Sequence, residues 1–469
     1  MSIKESLDRM FFPKSIAIIE ASSKRPWAIE GIINRGYDGK LFLVSNNEDV
    51  ILGRKCYKDI SNLPDGIDHA IIAVNRNKLE KLVEKCIEKK FHTLHIFSAG
   101  GSEYDEQGYK IEKKLQNLLQ NKLTHAIGPN CMGVYCPEGK ISYSPLFSKD
   151  TGGNIALVSH SGDLTTQFVF IENDYGLKFS KVASIGNSID LTVADFIDYF
   201  SQDKQTEIIC VYFEGFSKYR KDEGKVIFHS LKNCKKQIIF LRGGISEVGK
   251  RAASSHTGTL ASNDDIWQAI YKQANVNNVS SFDEFLDVTM AFDYFRYSLP
   301  KINSLLIIVW SGGKAVLSTD AIAKLGIDIP EIKDPKKSKL MEMISIGSVK
   351  NPLDLPWIFR REKFSEICNL AMDEDYIGGV ILEITAPREF DESFSIVYNN
   401  IIKVAEHARN LKKPFLLSFP HSLFPNTREE IKNYFIKERI PVFQSIPRAA
   451  TAFMKLYEYN SKSYVLNKR

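Results

Sequence analysis

Ile155-Ala156-Leu157-Val158-Ser159-His160-Ser161-Gly162-Asp163-Leu164 decides the fold. Four apolar residues, too short a run for a buried helix, lead into a small polar turn. A helix is predicted to begin near Asp163. That is a strand passing through a βα turn, and Ser159, Ser161 and the free N–H groups of Gly162 and its neighbours form a candidate anion site. The helix dipole and its unpaired donors both favour negative charge there. A capping serine on an ordinary turn would show the same residues.

Outward from this stretch the pattern repeats. Short runs rich in Ile and Val alternate with longer amphipathic segments, as in parallel strands covered by helices on both faces. Ser15–Ile19, Leu41–Val44, Ala70–Val74, Thr93–Phe97 and Thr124–Ile127 are predicted strands of a first block, with helices over Lys78–Lys90 and Tyr109–Leu123. A second block follows the polar Lys149-Asp150-Thr151-Gly152-Gly153. It has strands Ile155–Val158, Lys181–Ser184, Ile208–Phe213 and Ile238–Leu241 and a closing helix near Asp283–Ala291. After Ser298-Leu299-Pro300-Lys301 a third block has strands Leu305–Val309, Gly379–Ile384, Phe415–Ser418 and Val442–Phe443. The prediction is an α/β chain of three Rossmann or flavodoxin-like open parallel-sheet domains in series, at 1–148, 149–297 and 298–469.

Composition supports an ordinary globular protein. The 469 residues are 43% hydrophobic and 25% charged, and 62 Lys and Arg against 57 Asp and Glu leave a formal +5 spread along the chain. That is no nucleic-acid footprint. No apolar run approaches the length of a membrane helix, and the charged opening MSIKESLDRMFFPKS lacks the pattern of a signal peptide. A cytoplasmic location is the expectation. The seven cysteines are irregularly spaced and read as buried thiols.

Ligands of open parallel sheets bind at the carboxyl ends of the strands. There, Ile208–Phe213 ends at Glu214-Gly215, and Ile238–Leu241 is followed by Arg242-Gly243-Gly244 and then Ala252-Ala253-Ser254-Ser255-His256-Thr257-Gly258-Thr259-Leu260. The last segment reads as a small, flexible, polar loop that carries one imidazole. A neutral imidazole is a competent nucleophile toward phosphorus near pH 7 if a partner holds its other ring N–H. His256 is the candidate nucleophile and Glu214 the candidate orienter; a solvated surface histidine is the plainer alternative. His160 is a second candidate, and no histidine falls in a metal-ligand spacing. In the first block Gly128-Pro129-Asn130-Cys131-Met132-Gly133 forms a tight turn. The first βα turn, Glu20-Ala21-Ser22-Ser23-Lys24-Arg25, offers hydroxyls and two cations to phosphate. It lacks the GxGxxG of a nicotinamide site, and Ser311-Gly312-Gly313-Lys314 is not a P-loop.

Together these motifs resemble the alpha subunit of the ADP-forming acetyl-CoA synthetases, the NDP-forming acyl-CoA ligases related to succinyl-CoA synthetase. The likeness runs from Pro13-Lys14-Ser15-Ile16-Ala17 through Gly128-Pro129-Asn130, Ser161-Gly162, Ser184-Ile185-Gly186-Asn187, Glu214-Gly215 and the His256 segment to Asn351-Pro352-Leu353-Asp354-Leu355 and Ile440-Pro441-Val442-Phe443. The resemblance implies a reversible relay. Acyl-CoA and phosphate give acyl phosphate and CoA, the phosphoryl group passes to His256, and ADP receives it on a separate ATP-grasp beta subunit that holds ATP or ADP and Mg²⁺.

It further implies coenzyme A at Ser22, Lys24, Arg25, Val74, Asn130 and Cys131, and phosphate at Ser159, Ser161, Gly162 and Ser255. The small carboxylic acid and phosphate are its other ligands, in a hetero-oligomer. The family usually has Gly where Glu20 stands, Gln at His160 and Ala at Asp163, and it has a lysine near Asn46-Asn47-Glu48. A carboxylate at Glu20 would repel the phosphates of CoA unless Lys24, Arg25 or Arg76 offsets it. A diverged, non-catalytic CoA-sensing subunit is the alternative.

Overall fold

The computed structural model describes residues 2–148, 152–257, 264–356, 363–389, 392–421 and 424–466, without the side chains of 173, 254–257, 392–393 and 463–466. These residues form two compact units, the first of Met1–Glu172 with Leu177–Ser280 and the second of Asn173–Gly176 with Ser281–Arg469.

The first unit holds two sheets. One comprises β1 (Ser15–Ile19), β2 (Lys40–Val44), β3 (Val50–Ile51), β4 (Arg54–Tyr57), β5 (His69–Ile72), β6 (Thr93–Ile96) and β7 (His125–Ile127), in the order β3-β4-β2-β1-β5-β6-β7. All its pairings are parallel except β3 with β4. Strand order reverses at β1, which opens a crevice at its carboxyl end. The other sheet comprises β8 (Gly133–Tyr135), β9 (Ile155–Ser159), β10 (Phe179–Ser184), β11 (Ile208–Phe213), β12 (Gln237–Arg242) and β13 (Asn277–Val279), in the order β13-β12-β11-β9-β10-β8, with only β8 antiparallel. The strands of this second sheet are almost wholly buried because helices cover both faces.

Between β7 and β8 the turn Gly128–Met132 locks the two sheets together. Gly128 N–H donates to Ile185 O at 3.0 Å, Asn187 N–H to Pro129 O at 2.9 Å and Met132 N–H to Ser184 Oγ at 3.1 Å. A Cβ on Gly186 would stand 2.2 Å from Pro129 O, at a φ of +54°, so only glycine lets the strands close. One apolar cluster runs continuously under this junction, from Phe11 and Ile29 to Phe213 and Trp267.

The second unit is built on β14 (Leu305–Val309), β15 (Leu353–Asp354), β16 (Gly379–Glu383), β17 (Phe415–Ser418) and β18 (Val442–Phe443), all parallel in the order β15-β14-β16-β17-β18. The helix Phe282–Phe295, read from the sequence as closing the second block, belongs to this unit and packs on the long helix Ile446–Leu466. Ten of its residues are buried, so it is apolar on more than one face and its pattern names no partner.

All seven cysteines are free and six are buried. Among the described residues no helix is long and apolar enough to cross a membrane, and no group of three or more His, Cys, Asp or Glu is placed to hold a metal ion.

Candidate functional site

The reversal point of the first sheet is a cavity of about 210 Å³ between the carboxyl ends of β1, β5 and β6. Glu20, Ser22, Arg25, Trp27, Val74 and Ser98 are among its lining residues. The helix Trp27–Asn34 starts here with Pro26 at its cap and no side chain bonded to its first N–H groups, which leaves those donors for a ligand. Ser98 holds Val74 on both sides, its Oγ accepting from Val74 N–H at 3.0 Å and donating to Val74 O at 2.6 Å. Of the six expected CoA contacts, Ser22, Arg25 and Val74 meet at this cavity, whereas Lys24, Asn130 and Cys131 do not line it.

Lys24 is exposed. Asn130, in the left-handed region at φ +60°, is tied by its N–H to Ser98 O and by its amide to Asn187. The Cys131 thiol points into the core, donating to Ile96 O at 3.5 Å, and burial pushes its pKa up.

Glu20 also occupies the left-handed region, at φ +56°, where a non-glycine residue is strained. Among the described residues its carboxylate is ion-paired with none of the three cations suggested by the sequence. Lys78 Nζ meets Glu20 Oε2 at 3.0 Å, while Arg76 is taken by a two-pronged pair with Asp105. A second carboxylate joins this turn: Glu48 accepts from Ser23 N–H at 2.9 Å, and hydrogen bonds from the Ser23 hydroxyl and then from its N–H hold it below the usual carboxylate range. Lys78 lies 58 residues from Glu20, so no sequence spacing signals the pair.

At the ligand edge of the second sheet, Ser159 and Ser161 are buried and bonded to each other. Ser161 N–H donates to Ser159 Oγ at 3.1 Å, and Ser159 Oγ donates to Ser161 O at 2.9 Å. Ser161 Oγ caps the helix Gly162–Phe170 by accepting from Leu164 N–H at 3.3 Å. The hydroxyls therefore hold the shape of the turn, which leaves its backbone N–H groups as the candidate donors to an anion. A Cβ on Gly162 would stand 2.7 Å from Met132 Cγ, so the turn between the sheets reaches this helix start. Asp163 is exposed and turned along the helix, accepting from Gln167 Nε2 at 2.6 Å.

His160 is 2% exposed and packs on Phe213 with ring centroids 5.2 Å apart. Burial lowers its pKa to about 4, so the ring is neutral near pH 7. Glu214 N–H donates to its Nδ1 at 3.3 Å, which puts the remaining proton on Nε2. A protonated Nε2 has no lone pair to attack phosphorus, and this tautomer argues against His160 as the nucleophile. The Glu214 side chain points beside Tyr212, whose hydroxyl is pushed up first by burial and then by its charge and hydrogen bond.

After β12 the chain turns at Gly243 and at Gly244 in the left-handed region, φ +65°. It then forms the helix Glu247–Thr257, where the sequence reading expected a loop. Ser246 Oγ accepts from Gly249 N–H at 3.0 Å as a cap, and Ala252 and Ala253 favour helix over coil. A Cβ on Gly244 would lie 3.1 Å from Ala253 Cβ and 3.5 Å from Glu214 O. The missing side chain thus lets this helix return to the strand end that carries Glu214. Position 256 follows Ala253 by three residues, about one turn. The side chains of Ser255 and His256 lie outside the described residues.

Comparisons with known proteins bear on both sites. Residues 14–137 match a CoA-binding domain family, and residues 152–292 match the succinyl-CoA ligase like flavodoxin domain. The chain is 30% identical to the acetate–CoA ligase [ADP-forming] II subunit alpha of Pyrococcus furiosus, across 96% of this chain and 97% of that one. It is 32% identical to the 4-hydroxybutyrate–CoA ligase [ADP-forming] of Nitrosopumilus maritimus across 87% of its own length but spans only 58% of that relative. The fold is that of an acetyl-coenzyme A synthetase of Ca. Korarchaeum cryptofilum solved with phosphate and ADP, with a TM-score of 0.83, 24% identity and 98% of each chain covered.

Proposed function

The chain belongs to the family of ADP-forming acetate–CoA ligase alpha subunits, and from that membership we propose that it is the CoA-binding, phosphohistidine-bearing part of an acyl-CoA ligase acting on a small carboxylic acid. Domain 1–148 takes CoA, 149–297 without its closing helix Phe282–Phe295 carries the phosphoryl group, and 298–469 together with that helix completes the assembly.

The return of the helix Glu247–Thr257 to Glu214, through the bare backbone of Gly244, carries this reading. His256 attacks the phosphorus of an acyl phosphate with the lone pair of one ring nitrogen. The N–P bond forms, the P–O bond to the acyl oxygen breaks, and the carboxylate departs. Glu214 holds the other ring N–H and stabilises the charge that the ring acquires. The start of the helix Gly162–Phe170 gives N–H groups to the transferring phosphoryl oxygens. CoA supplies the thiol that accepts the acyl group, and its phosphates suit the start of the helix Trp27–Asn34, with Ser22 and Arg25 beside it. Lys78 offsets the charge of Glu20 there.

The test is incubation of the chain and its ATP-grasp partner with γ-labelled ATP. Acid-labile label is expected on wild type and none on His256→Asn; label retained by that variant would put the acceptor elsewhere.

One observation favours a second reading, a CoA-sensing subunit without turnover. Two carboxylates, Glu20 and Glu48, sit on the turn that would face the CoA phosphates. Such a subunit would bind CoA yet never take label.

A further inference from the structure

Arg242, the last residue of β12, reaches across to Asp264, the first residue of the helix Asp264–Gln273. In the sequence the helix Glu247–Thr257 lies between them. The Arg242 side chain is only 6% exposed, and its guanidinium lies over the ring of Trp267 at 5.5 Å. Nη2 bonds the Asp264 carboxylate, while Nη1 is buried with no hydrogen-bond partner among the described residues. Among those residues one carboxylate and one aromatic face hold the guanidinium. Trp267 is fully buried and packs at 5.3 Å on Phe213, the residue just before Glu214.

We infer that Arg242 and Asp264 form a clasp that closes the base of the segment bearing position 256 and fixes it relative to Glu214. Arg242 is then a positioning residue for phosphoryl transfer. A chain segment anchored at both ends samples fewer arrangements than one anchored at a single end, so closure raises the fraction of time that the helix Glu247–Thr257 spends at the Glu214 edge. The Asp264 carboxylate gains further from its place at a helix start. This role rests on the proposed phosphohistidine, but the closure itself does not.

Asp264→Asn tests it, because Asp264 is nearly half exposed and the change keeps the side chain's size. Two measurements are made on the full chain. Amide hydrogen exchange over Glu247–Thr257 is expected to quicken in the variant while exchange over β9 stays unchanged. With ³²P-labelled acetyl phosphate as the probe, the maximal rate of acid-labile labelling is expected to fall roughly tenfold with little change in the half-saturating concentration. Asp264→Glu should restore much of both.

Unchanged exchange overturns the clasp. Faster exchange with an unchanged labelling rate overturns the positioning role. Absence of label on the wild type counts against the phosphohistidine reading alone, and exchange then decides the clasp.

Discussion

The backbone N–H of Glu214 donates to Nδ1 of His160, 3.3 Å away across the ends of β9 and β11. The bond joins the residue proposed to orient the phosphohistidine to a histidine where the family usually carries glutamine. A glutamine Oε1 can accept from the same N–H; an alanine cannot. We expect His160→Gln to keep near wild-type labelling at position 256, and His160→Ala to lose stability by about 1 to 3 kcal/mol, because a buried N–H is left without a partner. Chemical denaturation and the labelling assay read the two effects.

His160 also gives the protein a signed dependence on pH. Its ordinary pKa of 6.5 falls to about 4 on burial, so the unfolded chain takes up a proton before the folded chain does. Stability from this group is full above pH 6.5 and drops as pH falls from there toward 4. His69 and His95 are shifted the same way by burial, to about 3 and about 4. Subtracting His160→Gln from wild type isolates one group. Between pH 7.5 and 4.5 we expect the wild type to lose about 2 to 3 kcal/mol more than the variant, measured by denaturant titration at each pH.

At the first βα turn, Glu20→Gly removes a carboxylate and relieves a left-handed φ of +56°. The variant is expected to melt higher, by the equivalent of about 1 kcal/mol. It should also bind CoA several-fold more tightly, while Lys78→Ala exposes the charge and weakens binding. Arg25 lines the cavity and Lys24 does not, so Arg25→Ala should weaken binding more than Lys24→Ala. Titration calorimetry that ranks Arg25→Ala and Lys24→Ala the other way would move CoA off this cavity.

The junction of the two sheets in the first unit makes a sharper test of backbone packing. Gly186→Ala places a Cβ 2.2 Å from Pro129 O and 2.4 Å from Asn130 O, in a left-handed conformation. Gly36 has a similar φ of +70° with nothing near its Cβ. We expect Gly36→Ala to cost about 1 kcal/mol and Gly186→Ala about 2 to 4 kcal/mol, since only the latter must push neighbouring chain segments apart. Equal losses in calorimetry would mean that φ strain alone sets both.

The long strands of all three sheets were legible because buried parallel strands are continuous Ile and Val runs, as in Ile155–Val158 and Leu305–Val309. The strands β3, β4, β8, β13 and β15 were not, since each is only two to four residues long and none holds more than two successive Ile, Val or Leu residues. The helical state of Glu247–Thr257 was overlooked because its serines and glycine suggested a loop, while Ala252 and Ala253 outweigh them. At the site, Glu214 and Gly244 stood out as residues at strand ends. Long-range partners did not. Lys78 beside Glu20, Asp264 on Arg242 and the tautomer of His160 are set by which chain ends meet in space, and no local spacing records that.

The last expectation concerns partnership. Moving a phosphoryl group from a histidine to ADP requires cationic groups and Mg²⁺ placed around the nucleotide phosphates, where they offset charge in the transition state. The strand ends carry no complete P-loop: β1 leads into Glu20-Ala21-Ser22, β9 into His160-Ser161-Gly162 and β14 into Trp310-Ser311-Gly312, while Gly244-Ile245-Ser246-Glu247-Val248-Gly249-Lys250 after β12 has Arg251 where the motif needs Ser or Thr. Lys314, the one lysine on the turn after β14, is paired with Glu383 at 2.6 Å. The Pyrococcus furiosus relative, 97% of which this chain spans, is itself a subunit alpha, whereas the chain covers 58% of the longer Nitrosopumilus maritimus ligase. We therefore expect the purified chain to make no acyl-CoA from ATP, acid and CoA. It should gain that activity, by at least roughly a hundredfold over background, when an ATP-grasp subunit is added and the two co-elute in size-exclusion chromatography. His256→Asn should co-elute yet stay inactive, which separates assembly from chemistry. ATP-dependent synthesis by the single chain, retained through a second purification step, would show that the nucleotide site lies within these 469 residues and overturn the division of roles.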